Sequence, residues 1–105
     1  MALTRDFKAA IAARLRRDPG FARALLDEAA TAFLNGEPDV ARAVLRELVN
    51  ATVGFERLAR LSGTPSKSLH RMLSSSGNPG MDNLAAIFDA IRRHLKVGIR
   101  VRVSA

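Results

Sequence analysis

The stretch Phe55-Glu56-Arg57-Leu58-Ala59-Arg60-Leu61-Ser62-Gly63-Thr64-Pro65-Ser66-Lys67-Ser68-Leu69-His70-Arg71-Met72-Leu73 decides how the chain is read. Phe55, Leu58, Ala59 and Leu61 fall at helical spacing, a short helix. Ser62-Gly63-Thr64-Pro65 is a tight turn, with Thr64 placed to cap the next helix and Pro65 at its first position. Leu69, Met72 and Leu73 then share the inner face of a second helix, Pro65–Leu73. Two short helices that cross closely need a small residue at the crossing and a glycine free to turn left-handed. Ala59 and Gly63, with Leu69 and Met72 beyond them, meet both needs, which predicts a helix-turn-helix.

With the leucines inward, Ser66, Lys67, His70 and Arg71 form the outward face of the second helix. Short hydroxyls, a cation and an arginine able to grip guanine through two hydrogen bonds are what reading the major groove requires. Arg57 and Arg60, on the helix before, would meet the phosphate backbone. For His70, base contact and an exposed ring without a role both stay open, and so does a helix pair that serves packing alone.

Working outward, Phe7, Ala10, Ile11 and Leu15 mark an amphipathic helix over Asp6–Arg17. Asp18-Pro19 reads as a cap followed by a helix start, and Phe21, Leu25, Leu26, Ala29, Phe33 and Leu34 make the next stripe. Asn35-Gly36 stops it. Glu37-Pro38-Asp39 restarts the chain for a helix bearing Val40, Val44, Leu45, Leu48 and Val49. After the turn and its helix, 74–80 is a polar loop, and Asp82 is placed to cap a last helix through Leu95. Met81 and the phenylalanines are read as core. From Val97 the period changes from helical to two: Val97, Ile99, Val101 and Val103 alternate with Gly98, Arg100 and Arg102, a β-strand pattern. The expected fold is mainly α, a bundle of about six helices with one C-terminal strand. It is read as one domain over 1–105, with N-terminal helices 1–50, a helix-turn-helix core 51–95 and the strand in 96–105.

Composition agrees with a binder. The chain has 105 residues, 17 Lys and Arg against 10 Asp and Glu, and a net charge of +7. Residues 1–50 hold eight cations and seven anions, while 51–105 hold nine and three, so nearly all the excess lies with the helix-turn-helix. Such a surface seeks polyanions. There is no cysteine, which excludes a disulfide scaffold, a thiolate metal site and a cysteine nucleophile. Two histidines and five phenylalanines leave little for a histidine metal cluster or a base-stacking platform. Phosphate-binding glycine loops and paired catalytic acids are absent, so neither enzymatic activity nor a cofactor is expected. No signal peptide or membrane span is visible, and a cytoplasmic location is the expectation.

A lone strand cannot satisfy its own backbone. Two copies pairing antiparallel through 97–103 would solve this, so a homodimer is expected. The alternative is a strand accepted from a partner protein. An RNA-binding role is a further, weaker alternative.

Gly54–Ala59, then Ser66–Leu73, then Gly77-Asn78-Pro79 resemble the addiction-module antidote (antitoxin) family, small proteins similar to phage-type, lambda-repressor-like helix-turn-helix repressors. Ser68-Leu69-His70-Arg71-Met72-Leu73 and the Gly-Asn-Pro loop carry most of the likeness, which spans roughly residues 18–97. The resemblance implies a double-stranded DNA-binding transcriptional regulator that represses its own operon and binds a ribonuclease-like toxin protein. Neutralising that toxin, rather than regulating transcription, is the alternative main role.

Overall fold

The structure, a computed structural model, describes residues 5–105. Six helices follow one another: α1 Arg5–Arg17, α2 Pro19–Leu34, α3 Pro38–Ala51, α4 Phe55–Ser62, α5 Ser66–Met72 and α6 Met81–Leu95. Their boundaries follow local chemistry. Asp18 accepts a hydrogen bond from the Gly20 N–H at 3.1 Å and Pro19 opens α2, so this start forms as its sequence dictates. The Asn35 side chain donates to the Thr31 carbonyl at 2.8 Å, closing the last turn of α2 before Gly36 turns the chain.

Two caps differ from the sequence expectation. The residue before α5 is Pro65, and Thr64 caps nothing; its N–H instead donates to Ser62 Oγ at 3.3 Å. At α6 the cap position is Gly80, and Asp82 lies inside the first turn with no capping bond. There its carboxylate still opposes the positive end of the helix dipole.

α2 lies along α3, with α1 packed against both, while α4 sits on α6 and carries α5. Leu45, Leu48 and Val49 of α3, Leu58 of α4, Leu69 and Leu73 around α5, and Ile87 and Ile91 of α6 are fully buried and form the centre. Their spacing of three and four along each helix is why each contributes one stripe to a shared core. The Cα radius of gyration is 12.9 Å, close to the ~13 Å of a compact chain this long.

The expected C-terminal strand is not there. No strand occurs among the described residues, and 97–105 follow α6 without regular structure. Alternating valines make a segment able to pair, but a strand exists only against another strand, and this bundle offers none. The core reading also fails at three residues. Met81 is 86% exposed, and Phe7 and Phe33 are exposed too. No helix among the described residues is long and apolar enough to cross a membrane.

Candidate nucleic-acid interface

The α4–α5 unit is held from below and closed at its ends. Leu58 and Leu69 are completely buried beneath it, with Leu73 just beyond α5. Ala59 sits half-buried against the same core. Gly63 ends α4 at φ 72°, ψ 17°, and its N–H donates to the Ala59 carbonyl at 3.0 Å. Any Cβ in this left-handed turn would be strained, so the sequence expectation for Gly63 agrees with its geometry.

Carbonyls at the ends of both helices find donors far away in sequence. Arg93 of α6 donates through Nη2 to the Leu61 carbonyl at 3.3 Å, closing the end of α4. Arg46 of α3 donates through Nη1 to the Leu73 carbonyl at 3.1 Å, closing the end of α5. Ser74 Oγ donates to the Arg71 carbonyl at 2.7 Å. The loop then folds Gly77 so tightly onto α5 that a Cβ there would run into the carbonyl oxygens of Met72 and Arg71. Cations at helix C-termini also meet the negative end of the dipole.

Of the residues singled out in the sequence, Lys67, His70 and Arg71 are exposed on α5, and Ser66 is half-exposed at its first turn. Arg57 and Arg60 are exposed on α4, one turn apart. None of these four cations is engaged in an ion pair among the described residues. Elsewhere in the basic half, Asp89 holds Arg92 at 2.6 Å and Arg93 at 2.9 Å. Internal pairing therefore subtracts charge from α6 and leaves it on α4 and α5.

His70 is not a free ring. It stacks on Phe55 with centroids 3.8 Å apart and planes at 18°, pinning the outward side of α5 to the start of α4. His94 titrates below the ordinary histidine range, because partial burial penalises its charged form and the Arg57 cation adds repulsion. Arg57, exposed on α4, is thus close enough to α6 to repel a charge on His94.

Sequence reasoning missed Arg46, Arg93 and the Phe55–His70 stack, and it placed Gly77 in a loop without its close approach to the end of α5. Arg46 and Arg93 count as surface charge until the fold brings carbonyls 27 and 32 residues away to them. A glycine after the serine run was the one local hint of the tight loop.

The arrangement is four unpaired cations, a half-exposed hydroxyl and a stacked imidazole on two short helices whose other faces are locked into the core. Such a surface can donate hydrogen bonds to phosphates and base edges from a fixed frame. No protein-family model, no curated protein and no solved structure matches the chain.

Proposed function

We infer that the protein is a sequence-specific, double-stranded DNA-binding regulator of transcription, an autorepressor of the antitoxin type, with α5 entering the major groove. The carrying observation is the unpaired cationic face of α4 and α5, set on a helix pair whose inner leucines are fully buried and whose carbonyl ends are capped. Arg71 and Lys67, with Ser66 and His70, read base edges, and Arg57 and Arg60 hold the backbone. Two copies on a two-fold site, with half-sites about 10 bp apart or a multiple, complete the arrangement.

Footprinting the protein on its own promoter tests this. A protected palindrome whose binding weakens linearly in log–log terms with salt is expected. Arg57→Ala should weaken binding uniformly across sequences, whereas Arg71→Ala should weaken it at one guanine. Absence of any protected site would end the proposal.

The second reading, direct neutralisation of a ribonuclease-like toxin, is favoured by the exposed apolar surface around Met81 and Phe33. A small basic toxin gene beside this one, and a complex of the two products, would support it.

A further inference from the structure

The segment after α6 is open in two ways. Its last backbone tie is the Val97 N–H donating to the Arg92 carbonyl at 3.0 Å; from Gly98 onward no backbone hydrogen bond holds it among the described residues. Its side chains alternate, with Arg100 and Arg102 between Ile99, Val101 and Val103. The segment runs beside α2, where Asp27 flanks it without forming an ion pair to either arginine. Ile99 and Val101 line, with Phe33, Leu34, Met81 and Phe88, an apolar groove of about 310 Å³ between α2 and α6. Met81 is 86% exposed at this groove, and Val103, farther along the segment, is 93% exposed.

Unpaired amides and carbonyls beside an apolar groove suit an added strand. Nucleic acid would match the arginines and leave the groove unfilled. A second copy fills the groove but fails on charge. Residues directly opposite in an antiparallel pair share a face. Any self-pairing that keeps the valines together therefore brings the arginine faces of the two copies together, so that Arg100 meets Arg102 when the axis passes through Val101. Shifting the register by one residue separates the arginines only by mixing them into the apolar face.

We propose that residues 98–103 and the α2–α6 groove receive an extended segment of another protein in which acidic and apolar residues alternate. It pairs as a β-strand, sets carboxylates beside Arg100 and Arg102, and sends its apolar side chains toward Ile99, Val101 and Met81. The inference does not rest on the DNA reading, because no residue of α4 or α5 takes part.

Methyl NMR of the full chain, titrated with a short capped peptide alternating glutamate and valine, tests it. Shifts are expected at Ile99, Val101 and Met81. A peptide of the same composition with glutamates and valines in separate blocks should not produce them. Arg100→Glu with Arg102→Glu should weaken binding by about tenfold or more, and a lysine–valine peptide should restore it on that double variant. Met81→Glu, with an unchanged circular dichroism spectrum, should also abolish binding. Four results overturn the proposal: no shifts, equal binding of the block peptide, failure of the charge-reversed rescue, or the same methyls responding to dilution of the protein alone or to duplex DNA.

Discussion

The α4–α5 unit and the segment after α6 are both basic, yet they present charge in opposite ways. On α4 and α5 the backbone is closed: the Leu61, Arg71 and Leu73 carbonyls accept from Arg93, Ser74 and Arg46, leaving side chains to do the contacting. After Val97 the backbone itself is open, and the arginines sit on a segment that pairs with no strand among the described residues. A rigid, closed frame suits a partner of fixed geometry such as a duplex groove. An open backbone suits a partner that supplies a strand. One charge excess, read only as a number, thus hides two different surfaces, and the two proposals rest on that difference.

Four comparisons separate the regions. The largest effect is expected from Leu69→Ala, which empties a fully buried position under α5 and should cost about 2–5 kcal/mol in urea unfolding. Val103→Ala, on an almost fully exposed side chain, should stay within about 0.5 kcal/mol. Comparable losses would show that the segment is part of the core. Next come two glycines. Gly77→Ala drives a methyl into the end of α5 and should cost about 1–3 kcal/mol, whereas Gly98→Ala has open space and should leave the unfolding midpoint nearly unchanged. Third, Arg46→Met removes the donor at Leu73 and should cost about 1 kcal/mol and weaken DNA binding, while Arg100→Met should do neither.

The smallest effect is in pH. His94 holds its proton less readily in the folded chain than in the unfolded one. Above about pH 6.5 both forms are neutral and this residue contributes no penalty. As pH falls through 6.5 and then through the depressed folded value, the unfolded chain gains its proton first and stability declines. Thermal unfolding between pH 8 and pH 5 should show a shallower decline in His94→Gln. Deleting 98–105 should leave the decline as it was.

What could be read in advance follows from which interactions are local. Helix stripes such as Leu45, Leu48 and Val49, the Asp18-Pro19 start and the Gly63 turn depend on neighbours within a few residues, and each formed as spacing predicts. The outward placement of Lys67, His70 and Arg71 followed from the inward placement of Leu69 and Leu73. The segment at 97–103 failed because period two reports only the ability to pair, while pairing depends on a partner elsewhere. Met81, Phe7 and Phe33 failed for a related reason: apolar character does not say which stripe remains uncovered once the helices have packed. Arg46, Arg93 and the Phe55–His70 stack depend on contacts between residues 15 to 32 apart, which no local pattern encodes.

The proposed reading of duplex DNA by α5 can be put to trial in one experiment. The most direct is to select preferred duplexes from a random library with the full chain, then measure affinity for the winner with the parent and Arg71→Ala proteins at fixed salt. An enriched palindrome is expected, containing a guanine that Arg71→Ala no longer distinguishes, with affinity lowered about 5- to 150-fold. No enrichment, or equal binding by the two proteins with the same base preference, would contradict the proposed reading.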